Sequence, residues 1–193
     1  RSIVEDLEKV RSEPSLREAL LGWLYRTPLQ GSLPAMNDDQ QTVFAFIEEY
    51  ETELKKFDAS LAPEFQSFLS RSQPFETCRA RAALLFVESY RDLPLLSWPY
   101  LLVETVVEME EWFVLWRMRH ARMVERMIGR KTGTGGSGVS YLDATTKYRI
   151  FEEFWIVRTL LLPRDRLPPL RQKALYELVG SLSLPPDIAS QLD

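Results

Sequence analysis

The stretch YLLVETVVEMEEWFVLWRMRHARMVERMI (residues 100–128) decides the fold class of this protein. It contains neither glycine nor proline, so a single helix of roughly 40 Å can form at about 1.5 Å per residue. Gly129 follows at once and is typical of a helix C-terminal cap, with Arg126 and Arg130 near the negative end of the helix dipole. The stretch therefore predicts one long helix.

Most of the remaining chain also shows helical periodicity, with apolar residues at three- and four-residue steps. Further helices are predicted over 15–27, 43–61, 79–90, 141–162 and around 173–179, with prolines just beyond several of their ends. No run alternates with a period of two for long enough to predict a sheet. The predicted fold class is all-α, a helical bundle in which residues 1–193 form a single domain.

Composition excludes several classes of function. The formal net charge of −4 provides no electrostatic footprint for nucleic acid or an anionic membrane surface. The most apolar stretch, residues 82–107, is interrupted by charges and prolines, so no membrane span is predicted. The single cysteine, Cys78, cannot form an intramolecular disulfide, which favours a reducing compartment. We therefore expect a cytoplasmic protein.

His120 is the only histidine, and it lies in the long predicted helix. One imidazole is too few for most zinc sites, but a haem iron needs only one protein ligand. The pattern leaves two interpretations open: a core histidine with one hydrogen bond, or an axial ligand with apolar neighbours against the macrocycle. The residues at helical spacing from it are Phe113, Trp116, Met123, Val124 and Met127.

The glycine-rich loop at 131–138 matches G-x-G-x-x-G, but a predicted helix precedes it where a dinucleotide site needs a strand. A Walker A motif is also absent. Two interpretations remain, a flexible connector or a backbone that approaches a ligand closely, with the Thr134 hydroxyl beside it.

Two groups of side chains in and after the long helix invite a functional interpretation, and each has a simpler one. The crowded carboxylates of Glu108, Glu110 and Glu111 suggest a diiron site, but the Glu-x-x-His partner is missing, so a solvated face is expected. The aromatic residues are expected to be core. They are Trp112, Trp116, Tyr148, Phe151, Phe154 and Trp155.

The segment 116–137, WRMRHARMVERMIGRKTGTGGS, resembles the signature of the tryptophan 2,3-dioxygenase family. In that family, W-R-x-x-H-x-x-x-V-x-R-x-I/L-G precedes a G-T-G-G-S/T loop. Residues 13–28, 90–94, 141–142 and 148–163 are also similar in type and order, so the resemblance covers about residues 10–170.

The resemblance implies a haem b bound against the long helix, with His120 as the iron ligand and Trp116 beside the haem. It implies that Thr134 contacts the substrate ammonium, next to the Gly135 and Gly136 backbone. The implied reaction inserts O2 across the indole C2–C3 bond of tryptophan or a related indole amino acid, giving an N-formylkynurenine-type product. No residue of this chain is assigned a catalytic role.

The resemblance covers the C-terminal half of the family's usual chain. The N-terminal half, with the distal pocket and the arginine for the substrate carboxylate, is not in this chain. We expect a homo-oligomer, a tetramer by resemblance, or pairing with a chain that supplies that half.

Two departures from the family pattern leave the exact substrate open. The loop is one residue shorter than usual, and Asp143 stands where arginine is common. The alternatives are a haem-dependent hydroxylase of an aromatic amino acid such as tyrosine, and a haem-binding subunit that is inactive without an N-terminal partner.

Overall fold

The computed structural model describes residues 15–129, 131 and 139–178, and within these ranges it contains helices and no strand. The all-α prediction is confirmed. The chain divides into two compact units, Leu101–Trp155 and the combination of Arg1–Tyr100 with Ile156–Asp193. The α-helices are α1 (Leu16–Arg26), α2 (Asp39–Phe57), α3 (Ala62–Phe68), α4 (Phe75–Ser89), α5 (Pro94–Ile128), α6 (Val139–Thr145), α7 (Glu152–Thr159) and α8 (Lys173–Tyr176). Short 3-10 helices span Ala59–Leu61 and Arg164–Arg166.

Helix α1 begins where the sequence predicts. The Ser15 hydroxyl accepts a hydrogen bond from the Glu18 N–H at 3.2 Å, and the Glu18 carboxylate accepts from the Ser15 N–H at 2.7 Å. This reciprocal capping box satisfies backbone donors that the first helical turn leaves free. The other face of α1 buries Leu20 and Leu24 in the core of the larger unit.

The second predicted helix ends earlier than expected and is followed by a helix that the sequence pattern did not reveal. Helix α2 stops at Phe57, because the Asp58 carboxylate accepts from the Ser60 N–H at 2.9 Å and starts a 3-10 turn. Helix α3 follows with proline near its first turn, where the missing N–H costs nothing. Its buried Phe65 stacks on Tyr50 of α2, with ring centroids 5.9 Å apart.

A buried ion pair links α2 to α4 at the centre of the larger unit. The Arg79 guanidinium is fully buried and donates to both carboxylate oxygens of Asp39, at 2.8 and 3.0 Å. It also donates to the backbone carbonyls of Tyr25, Thr27 and Ser32. The buried charge of the guanidinium is therefore paired, as its burial requires. The same hydrogen bonds attach the chain between α1 and α2 to α4.

Buried tyrosines bind the C-terminal part of the chain to the same core. The Tyr50 hydroxyl donates to the Leu160 carbonyl at 3.1 Å and accepts from the Leu162 N–H at 3.1 Å. Burial raises the pKa of Tyr50, so the phenol stays protonated and able to donate. Tyr90 donates to the Pro168 carbonyl at 2.6 Å in the same way.

The long predicted helix is confirmed, but it begins six residues earlier than Tyr100, at Pro94. Proline is tolerated as a first helical residue. The helix also passes through Pro99, which removes one backbone hydrogen bond. At the other end, Gly129 has φ of +64° and its N–H donates to the Glu125 carbonyl at 2.8 Å, which confirms the predicted cap. Nowhere in the described ranges is a helix both long and apolar enough to cross a membrane.

The prediction of one continuous helix over 141–162 is wrong. Helix α6 ends at Thr145, and α7 begins at Glu152. Two side chains of α5 form hydrogen bonds with backbone groups in and around this break. Arg117 donates to the Thr145 and Tyr148 carbonyls, and Glu110 accepts from the Ile150 N–H. These groups no longer need helical partners, so the chain turns without a glycine or a proline. A short turn around 173–179 was also predicted and is present as α8.

Replacing Asp39 with asparagine tests the buried pair. Asp39→Asn leaves the Arg79 guanidinium buried without a countercharge, so the free energy of unfolding should fall by about 3 kcal/mol. Chemical denaturation monitored by circular dichroism measures this change. Asp38→Asn is the matched control, because Asp38 is exposed and its side chain makes no capping bond; it should alter stability by less than about 0.5 kcal/mol. Equal effects of the two substitutions would contradict the account.

Candidate functional site

His120 lies in the last third of α5, stacked on the side chain one helical turn before it. The ring centroids of Trp116 and His120 are 5.4 Å apart, with planes 10° from parallel. The i,i+4 spacing places both rings over the same stretch of helix surface. The two residues that the resemblance assigns to a haem therefore lie side by side on one rigid element.

The apolar neighbours of His120 are exposed. Trp116 is 60% exposed and Met127 is 66% exposed, and Phe113 and Met123 are about half exposed. We call Phe113, Trp116, His120, Met123 and Met127 the His120 stripe. A contiguous exposed apolar surface of this kind is typical of a binding site. The expectation that the aromatic residues here form core is wrong for Trp112, Trp116 and Tyr148, and it is confirmed for Phe151 and Phe154.

The imidazole itself is half-buried, and in the part of the chain that the structure describes it has no hydrogen-bond partner. A core histidine would be buried and would donate or accept at least one hydrogen bond. The structure therefore disagrees with the core interpretation of His120. A ring nitrogen that no described side chain occupies is free to coordinate a metal.

Two grooves run along α5 next to the stripe. One of about 550 Å³ has an apolar lining that includes Met109, Phe113 and Trp116. The other, of about 790 Å³, is lined by Met123 and Met127 and by Asp143 and Thr146 of the α6 region. Both volumes fall in the range of ligand pockets. The second groove also contains Arg119, Arg122 and Arg126.

Asp143, where the resemblance leads us to expect arginine, has a partner on α5. Its carboxylate lies 3.9 Å from the Arg122 guanidinium, and Glu125 bonds the same guanidinium at 2.8 Å. The hydrogen bond that Arg122 donates to Glu125 has the larger effect and the negative charge of Asp143 the next, and both raise the pKa of Arg122. The altered charge at position 143 is therefore matched by a cation on α5.

The three crowded glutamates of α5, Glu108, Glu110 and Glu111, do not form one solvated face. Glu108 and Glu111 are exposed as predicted, but Glu110 is buried, and that part of the prediction is wrong. Its carboxylate accepts from the Phe151 N–H at 3.2 Å, from the Ile150 N–H, and from the Trp155 indole N–H at 2.5 Å. Within the described ranges, no three histidine, cysteine or acidic side chains come together as a metal site.

The helical spacing of the residues in α5 predicts that Glu110 is buried. Glu110 and Arg117 fall at alternating steps of three and four residues from Val103, Val107 and Ala121, which are buried. Two charged residues thus interrupt the buried apolar face of α5. This register could have revealed both residues from the sequence.

The predicted substrate residues Thr134, Gly135 and Gly136 lie outside the described residues. Lys131, just before them, and α6, which begins at Val139, mark the two ends of that segment.

Comparison with known proteins shows that most of the chain is similar to tryptophan 2,3-dioxygenases. The family model described as tryptophan 2,3-dioxygenase matches residues 18–161. A tryptophan 2,3-dioxygenase-like protein of Xanthomonas campestris pv. campestris (strain 8004) is 43% identical, over 86% of this chain and 72% of the relative. The tryptophan 2,3-dioxygenase 2 of Ralstonia nicotianae is 41% identical, over 84% of this chain and 52% of the relative. The tryptophan 2,3-dioxygenase of Sorangium cellulosum is 37% identical, over 87% and 48%.

These matches show that the chain belongs to the tryptophan 2,3-dioxygenase family. Its helical fold and the lone histidine on an exposed apolar stripe agree with that membership. The chain spans about half the length of the Ralstonia and Sorangium relatives.

Proposed function

We propose that this chain is the haem-carrying part of a dioxygenase that inserts O2 across the indole C2–C3 bond of tryptophan or a related indole amino acid. The observation that carries the proposal is the His120 stripe: the only histidine of the chain stands on an exposed apolar helix face, stacked on Trp116. The match of residues 18–161 to the tryptophan 2,3-dioxygenase family supports the choice of reaction.

The residues of the stripe fit a haem b. The imidazole of His120 would hold the haem iron, and a ring nitrogen without a partner among the described residues suits that role. Trp116, Met123 and Met127 provide apolar and polarisable surface for a flat macrocycle. When bound, the haem supplies the iron chemistry of O2, and the chain's own residues bind, orient and exclude water.

The substrate side is proposed to come from two places. Thr134, with the Gly135 and Gly136 backbone beside it, would hold the substrate ammonium group through a charge-assisted hydrogen bond. A distal half from a partner chain, or from the rest of a longer polypeptide, would supply the carboxylate contact. We further propose a homo-oligomer, a tetramer as in the family, and a cytoplasmic location.

Replacing His120 tests the cofactor assignment. Wild-type chain reconstituted with haem should show a Soret band, and His120→Gly should lose it because no second histidine can replace the ligand. Added imidazole should restore the band in His120→Gly by entering the vacated space. Glu111→Gln, an exposed change on the same helix, should retain the wild-type spectrum. An unchanged Soret band in His120→Gly, or no haem binding by the wild-type chain, contradicts the proposal.

Replacing Thr134 tests the substrate assignment. Thr134→Ala should lower kcat/KM for tryptophan by an amount equivalent to about 1–3 kcal/mol, because a hydrogen bond to a charged ammonium is lost. Thr132→Ala provides a matched control in the same segment. Steady-state kinetics with tryptophan and with tyrosine measure both the effect and the choice of substrate. An unaltered kcat/KM in Thr134→Ala would remove the loop from the proposal, and a preference for tyrosine would favour a hydroxylase.

A further inference from the structure

Two charged side chains of α5 capture the polypeptide between α6 and α7. Arg117 donates to the carbonyls of Thr145, at 3.3 Å, and Tyr148, at 3.1 Å. Seven residues earlier, Glu110 accepts from the N–H groups of Ile150 and Phe151. Together they bond four backbone groups within residues 145–151, so this segment is fixed to α5 by side chains instead of by helical hydrogen bonds.

The Glu110 carboxylate is the more constrained of the two. It is 1% exposed, and both of its oxygens are used, since the second accepts from the Trp155 indole N–H at 2.5 Å. Arg149 lies over the same indole, with its guanidinium carbon 4.4 Å from the ring centroid. A buried carboxylate with three donors is strongly held, and its removal leaves those donors unsatisfied.

The segment held by Glu110 and Arg117 adjoins residues that line the larger groove along α5. Asp143 and Thr146, which are among the lining residues of the larger groove along α5, are within a few residues of the Arg117 contacts. The groove shares Met123 and Met127 with the His120 stripe. Arg117 itself precedes His120 by three residues on the same rigid helix, and neither it nor Glu110 bonds the imidazole.

We propose that Glu110 and Arg117 are positioning residues for the amino-acid substrate: by holding residues 145–151 on α5 they set where α6 and its groove stand beside the His120 stripe. This inference rests on the proposed function. They act on the wall of the site and not on the iron ligand. Loss of either should therefore weaken substrate binding and leave haem binding intact.

The test uses Arg117→Met and Glu110→Gln, with Lys147→Met and Glu111→Gln as controls. Lys147 is an exposed cation in the same segment, and Glu111 is an exposed neighbour of Glu110. Hydrogen exchange on the haem-free chain should show faster exchange of the Ile150 and Phe151 amides in Glu110→Gln, by roughly tenfold or more. The control variants should exchange as the wild type does.

On the haem-loaded chain, titration with tryptophan monitored by the Soret shift measures substrate affinity. Arg117→Met and Glu110→Gln should raise the Kd by roughly tenfold while the haem content stays within about twofold of wild type. Arg117→Lys keeps a cation that can donate to the same carbonyls, so it should recover part of the affinity.

Three results would overturn the inference. These are a Kd equal to that of the controls, a loss of haem that matches the loss of substrate affinity, and loss of helical structure in both Arg117→Met and Glu110→Gln, which would make the role purely structural. A wild-type chain that binds no haem refutes the proposed function instead. The exchange experiment then still decides whether Glu110 holds the segment, and unchanged exchange in Glu110→Gln would overturn the inference.

Discussion

The rotation of α5 about its own axis controls what this protein presents to a ligand. One face of the helix places Val103, Val107, Glu110, Arg117 and Ala121 in register, and the contacts of Glu110 and Arg117 hold residues 145–155 against it. A second face, at the same alternating spacing, carries the His120 stripe. Because the two faces belong to one rigid helix, fixing the first leaves the second no freedom to turn inward. The buried carboxylate of Glu110 is thus the constraint that holds residues 150–155 beside the helix that carries the His120 stripe.

An exposed stripe of aromatic and methionine side chains is unfavourable in water by about 25 cal/mol for each Å² of apolar surface that could be buried. Covering the stripe with a flat apolar group would recover that free energy, which gives a thermodynamic reason why the proposed haem would bind at this place. The imidazole adds direction to an otherwise non-directional attraction. Trp116, stacked on it at 5.4 Å, limits the ring orientations that His120 can adopt. Hydrophobic burial would hold the cofactor, and the histidine would set its register.

Local signals in the sequence predict the parts of the fold whose partners are close in the chain. The Ser15 capping box, the uninterrupted run of α5 and the Gly129 cap all follow from spacing within a few residues. The break between α6 and α7 was missed because its cause lies 28–41 residues away, in Arg117 and Glu110. The Asp39–Arg79 pair, 40 residues apart, was missed for the same reason. Tertiary partners satisfied the backbone where local propensity favoured a helix.

The candidate site also contains some features that local spacing predicts and others that it does not. The adjacency of His120 and Trp116 could be predicted, because one turn of a helix places them together whatever the rest of the chain does, but their roles toward a haem were implied by the resemblance. Thr134, Gly135 and Gly136 were assigned by resemblance alone, and they lie outside the described residues. Glu110 was predicted on the solvated side because three neighbouring acids suggest solvent. Its register with Val103 and Val107 was the stronger signal.

Isotope labelling tests directly the proposal that His120 ligates the haem iron, because the chain has one histidine. Protein grown with ¹⁵N-histidine carries the label on a single imidazole. Electron paramagnetic resonance of the ferrous nitrosyl form resolves the axial nitrogen through its nuclear spin. If His120 is the ligand, the superhyperfine triplet from a ¹⁴N ligand becomes a doublet in the labelled protein. An unchanged pattern would show that another group ligates the iron and would contradict the assignment of His120.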